Sequence, residues 1–82
     1  MASKEDLQDW VKNALAAAGG GGRLVEVAKH IWSAHESDLR KSGDLFFTWQ
    51  YDMRWAANQL RRRGIMKPVE HSPTGVWQLA RP

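Results

Sequence analysis

Four consecutive glycines at positions 19–22 set the first hard boundary in this chain. Glycine loses more backbone freedom on ordering than any other residue and brings no side chain to bury, so a regular helix cannot run through such a tract. The residues before it therefore hold one helix at most. Leu7, Trp10, Val11, Ala14, Leu15 and Ala18 recur at steps of three and four, which puts them on one helical face and leaves Glu5, Asp9, Lys12 and Asn13 on the other. Ser3, followed three residues later by Asp6, has the spacing of a capping box and marks where that helix should start. The glycine tract reads as a helix terminator and turn and not as a linker between domains, because neither flank is long enough to bury its own apolar face. The 82 residues are expected to form a single domain over 1–82.

Beyond the glycines the helical spacing returns. Leu24, Val27, Ala28, Ile31, Trp32 and His35 predict a second amphipathic helix over residues 24–35. Residues 36–44 mix charge with Ser37, Ser42 and Gly43 and read as a loop, with one helical turn possible around Leu39. Thr48 is placed to cap a third helix that ends at Gly64. At 100° per residue, Trp49, Met53, Ala56 and Leu60 fall on one stripe of it, while Tyr51, Arg54, Trp55, Asn58, Arg61 and Arg62 gather on or near the opposite side. After Gly64 the pattern becomes extended: residues 65–69 and 75–79 read as the arms of a hairpin whose tip is 71–74. Pro68 shortens the first arm because proline cannot donate to the ladder. A short strand near residues 22–23 would complete a small sheet. The expected class is α+β: a winged helix-turn-helix, three helices followed by a C-terminal β-hairpin wing.

Five tryptophans and 43% hydrophobic residues are enough to expect a folded core rather than a disordered chain. Trp10, Trp32, Trp49 and Trp77 are simplest to read as core. No cysteine is present, so disulfides, thiolate zinc sites and thiol nucleophiles are excluded. The chain has no apolar run of membrane-spanning length and no signal-peptide core near its start, so it is expected to be cytoplasmic, with no membrane partner. The net charge of +3 is unevenly spread. Residues 1–22 carry −1 and residues 23–45 are neutral, whereas from 46 onward six cations face only Asp52 and Glu70, leaving +4.

The segment WQYDMRWAANQLRRRGI at 49–65, followed by GVWQL at 75–79, resembles the winged helix domain at the N-terminus of Mrr-type restriction endonucleases and related bacterial proteins. The shared pattern is a Trp opening the third helix, an Arg-Trp-Ala turn, a Leu before basic residues and Gly, and a closing Gly-x-Trp-x-Leu strand. Similarity is close over the last 35 residues or so. The resemblance implies a DNA-binding accessory domain. The separate nuclease domain of those enzymes has no counterpart in this sequence, and the stretch around Leu39, Arg40, Phe46 and Phe47 departs from the compact pattern.

In such a fold the third helix lies in the major groove, where Arg pairs bidentately with guanine and Asn or Gln with adenine. Gln50, Tyr51, Arg54 and Asn58 are the candidate groove residues, with an ordinary solvated helix surface as the alternative. Arg61, Arg62 and Arg63 sit where cations stabilise the negative end of the helix dipole without any ligand. As a functional set, Arg61 and Arg62 join Lys67 and the hairpin tip, His71 and Thr74, as phosphate contacts. Trp55 lies on the polar side by angle and is expected to pack under the hairpin or against the first helix; the alternative is an exposed contact residue. His30 and His35 are five apart, off the i, i+4 spacing of paired ligands, so no metal and no cofactor is expected. Scattered Ser and Asp residues compose no catalytic set, and the chain reads as a non-enzyme. The expected partner is double-stranded DNA. The alternative is a protein partner, with the fold serving as an interaction or dimerisation module that exposes apolar area such as Trp55 or Phe46. Single-strand or RNA binding is a third option, favoured only by several exposed aromatics.

Overall fold

The computed structural model describes residues 2–81, and each of its helices can be traced to the signals that start, stop or bury it. α1 (Asp6–Ala17) buries Leu7, Val11, Ala14 and Leu15. At its start the Asp6 carboxylate reaches back to the Ser3 backbone N–H at 2.9 Å, which is one half of a capping box; the Ser3 hydroxyl points to the same carboxylate instead of to the helix. At its end Gly19, at φ +84°, lets the Gly20 N–H reach the Leu15 carbonyl at 2.8 Å while the Gly19 N–H meets that of Ala16. That pair of bonds is a Schellman motif. The glycine tract is then divided between two tasks, because β1 (Gly21–Arg23) takes its second half. A Cβ at Gly21 would come within 3.1–3.2 Å of Gln78 and the Trp77 carbonyl, so the close approach of the two strands uses the missing side chain.

α2 (Leu24–Arg40) follows β1 directly and runs five residues past the expected end at 35. The reason is Leu39: it is fully buried, and the polar residues 36–38 simply carry the helix across the surface to reach it. The extension begins with a kink at His35 (φ −131°, ψ 16°). α3 (Leu45–Arg62) starts three residues before the expected cap, because Leu45 is also buried and Gly43 makes the turn that precedes it. Thr48 is an interior helical residue whose hydroxyl donates to Asp52 at 2.7 Å. α3 ends on a second Schellman motif, with Gly64 at φ +76° and the Ile65 N–H on the Leu60 carbonyl at 2.9 Å.

The expected hairpin is present in reduced form. β2 (Val76–Gln78) pairs antiparallel with β1 in the register Gly21↔Gln78, Gly22↔Trp77, Arg23↔Val76. On the opposite edge of β2, the first arm of the hairpin contributes a single bridge, Met66↔Leu79, held by Lys67 N–H to the Gln78 carbonyl and Ala80 N–H to the Ile65 carbonyl. Pro68 ends the pairing there and Val69–His71 coil into a 3₁₀ turn. The molecule is thus a small α+β fold of three helices and an antiparallel sheet at one end. α1 packs chiefly on α3, whose Ala56 and Ala57 are fully buried and let the helices approach closely. The core is finished by Val27 and Ile31 of α2 and by Met66 and Trp77 from the sheet. Trp49 and Trp77 are core residues as expected, whereas Trp10 and Trp32 are only half-buried at its margin. Ser42 ties the N-terminal segment down by accepting the Ala2 N–H at 3.0 Å while donating to the Asp38 carbonyl. No described helix is long and apolar enough to cross a membrane.

Candidate functional site

The outer face of α3 follows from its inner one. With Trp49, Met53, Ala56 and Leu60 committed to the core, the residues half a turn away must face solvent. Phe47, Tyr51, Arg54, Asn58 and Arg62 form one exposed stripe along the helix at steps of three and four. Phe47 and Tyr51 are the most exposed large hydrophobic residues described, at 82% and 78%. Gln50 is also exposed and flanks this stripe on the side facing α2.

The cations of the site are held in different ways. Arg54 and Arg62 are exposed and form neither an ion pair nor a side-chain hydrogen bond among the described residues, where the sole salt bridge is the solvent-exposed pair Arg40–Glu36 at 2.8 Å. Asp52, the acid on α3, is engaged by Thr48. Arg61 turns inward. Its Nε donates to the Lys67 carbonyl at 3.3 Å, its Nη1 donates to Asn58 Oδ1 at 3.0 Å, and its guanidinium carbon lies 6.0 Å from the Trp77 ring centroid. Burial pulls its pKa down from the usual arginine value, and Glu70 partly opposes that. Arg61 is therefore a strut between α3 and the hairpin. Arg63 is likewise engaged, donating to Gln8 of α1 at 2.9 Å.

Asn58 is exposed, yet its amide oxygen already accepts from Arg61. Reading adenine bidentately would require that bond to open. Lys67 is half-buried at the base of the hairpin, where its backbone N–H completes the bridge to β2. His71, in the 3₁₀ turn, and Thr74, just before β2, are both exposed, but no hydrogen bond among the described residues joins them to α3. The structure thus links Asn58, Arg61 and Lys67 by hydrogen bonds, sets Arg54 and Arg62 on the same helical stripe as Asn58, and joins neither His71 nor Thr74 to them. Trp55 takes the packed alternative: it is half-buried against the core, and the Lys4 ammonium lies 4.2 Å from its ring centroid.

Two features of this surface escape a reading of the sequence. Phe47 precedes the helix start expected at Thr48, and only the earlier start of α3 puts it one turn before Tyr51 on the exposed stripe. Phe46 beside it is half-buried, with its ring 6.3 Å from that of Trp32. No family model, curated protein or solved structure matches the chain.

Proposed function

We propose that this chain is a winged helix domain that binds double-stranded DNA, presenting α3 to the major groove and the hairpin to the phosphate backbone, in an accessory or regulatory role like that of the Mrr-type domains it resembles. The order helix, strand, two helices and a hairpin whose second arm pairs with the first strand supports the fold part of this reading. The function part is carried by one observation: Arg54 and Arg62 stand exposed and uncompensated on the outer stripe of a helix whose inner face alone serves the core. Guanidinium groups so placed are free to pair with phosphate or with guanine. On this reading the domain binds and does not catalyse, with no metal and no cofactor.

The test is fluorescence anisotropy of a labelled random-sequence duplex titrated with the chain. Arg54→Ala combined with Arg62→Ala should weaken binding by about ten-fold at low salt, since each neutralised phosphate contributes a counterion-release term. Equal binding by the double variant would contradict the assignment. Where a preferred sequence is found, Asn58→Ala should flatten the preference more than it lowers affinity.

A second reading, a protein-contact module, is favoured by the exposure of Phe47 and Tyr51 on the same stripe. The two separate by position. Duplex should perturb Arg54, Arg62 and the Lys67 segment, whereas a protein docking on the aromatic end should perturb the start of α3 alone.

A further inference from the structure

We propose that the trough between the first half of α2 and α3 is a docking site for an acidic protein segment carrying apolar anchor residues. This goes beyond duplex binding and stands mainly on residues that binding does not use, Arg23, Val25, Ala28, Lys29 and Trp32, with Arg54 and Gln50 common to both. Two adjoining depressions, of about 430 and 380 Å³, share Val25, Ala28 and Gln50 and so form one continuous trough. Its apolar walls come from both helices, with Trp32 and Trp49 at one end and Met53 at the other. Val25 is an exposed valine, 44% accessible, at the lip. Three cations from three elements converge on it: Arg23 from β1, Lys29 from α2 and Arg54 from α3. None of the three makes a side-chain hydrogen bond or ion pair among the described residues, and neither depression is lined by a carboxylate.

Charge and shape together choose the occupant. A trough with a cationic rim and no acid favours an anionic ligand by electrostatic complementarity. Its apolar walls gain only from a ligand that also brings hydrophobic side chains, which a phosphate backbone does not. Bases of a single strand would need free aromatic faces for stacking. Trp32 and Trp49 instead lie in an offset stack on each other, with centroids 5.9 Å apart and planes 10° from parallel. Trp49 is buried and Arg40 lies 5.2 Å from the Trp32 ring centroid, so the trough offers chiefly aliphatic surface from Val25, Ala28 and Met53, which suits Leu or Phe anchors on a chain flanked by Asp or Glu. The paired indoles also fix the walls in place, so little has to be reorganised on binding.

Arg54 and Gln50 border both this trough and the outer stripe of α3, so where both ligands bind they should compete. The experiment uses the full chain, ¹⁵N-labelled, titrated with a blocked twelve-residue peptide of Leu and Phe anchors separated by Glu. Parallel arms use the same peptide with Lys for Glu, and oligothymidine. The acidic peptide should shift Val25, Ala28, Lys29 and the Trp32 indole N–H saturably. Val25→Glu with Lys29→Glu should weaken it by about ten-fold or more through like-charge repulsion, with the melting temperature held; Lys29→Gln should give a smaller loss. Equal binding by the Lys peptide, preference for oligothymidine, or no trough shifts at millimolar acidic peptide would each overturn the proposal. Because the peptide is read at Val25, Ala28, Lys29 and Trp32 and the duplex at Arg62 and the Lys67 segment, the two proposals fail independently although Arg54 is common to both.

Discussion

Arg61 and Arg62 are neighbours on the same helix, yet one belongs to the fold and the other does not. Arg61 bends back to the Lys67 carbonyl and over Trp77, holding the hairpin to α3, while Arg62 projects from the outer stripe with no partner among the described residues. A 100° step decides between them. The same contrast runs the length of α3: its inner residues hold the molecule together, and its outer residues add little to stability. Residues that a protein exposes without a structural need are where binding is to be sought.

The contrast can be broken most forcefully from inside. Leu60→Ala removes a buried side chain from the core cluster that also holds Met66 and Trp77 and should cost about 3 kcal/mol of unfolding free energy, measured by chemical denaturation. A cost below about 1 kcal/mol would mean that the inner face is not the core described above.

Smaller effects sharpen it. Gly64→Ala meets open space but forces a side chain onto a backbone at φ +76°, and should cost about 1 kcal/mol through the Schellman turn alone. Arg61→Ala should cost about 0.5–1 kcal/mol by releasing the hairpin strut. Arg62→Ala, one residue away, should change stability by less than about 0.5 kcal/mol while lowering duplex affinity several-fold. Similar stability losses for Arg61→Ala and Arg62→Ala would erase the distinction between them.

A pH effect tests the other end of the molecule. His35 lies at the kink of α2, its ring stacked on Trp10 with centroids 3.8 Å apart. Burial lowers its pKa, with Asp38 opposing and His30 adding to the shift. Since the folded value lies below the unfolded one of about 6.5, protonation favours unfolding. The stability contributed by neutral His35 should be complete above pH 6.5 and decline as pH falls from there through the folded value. The melting temperature measured from pH 7.5 down to 5 should fall less steeply in His35→Gln than in the parent chain.

Much of this was legible in the sequence, for identifiable reasons. The inner face of α3, the apolar side of α1 and both glycine stops follow from helical periodicity and from the backbone freedom of Gly19 and Gly64. The short strand after the glycines was also expected. The end of α2 was not, because residues 36–38 look like a loop and only tertiary burial of Leu39 keeps them helical. The first hairpin arm shrank to one bridge because Pro68 interrupts it sooner than the apolar pattern implied. Within the site, the exposure of Tyr51, Arg54, Asn58 and Arg62 could be read from angles alone. The inward turn of Arg61 could not, since its acceptor at Lys67 is positioned by the turn at Gly64. Trp10 and Trp32 show the limit of residue type as a guide: large aromatics bury most of their area without being enclosed.

The central claim is that the free cations of α3 and the hairpin base meet phosphate. Duplex affinity measured across a salt series tests it most directly. Engagement of Arg54, Arg62 and Lys67 predicts that log affinity falls against log salt with a slope of about −2.5 to −3, at roughly 0.9 per neutralised phosphate. A slope near zero, or no binding at low salt, would contradict it.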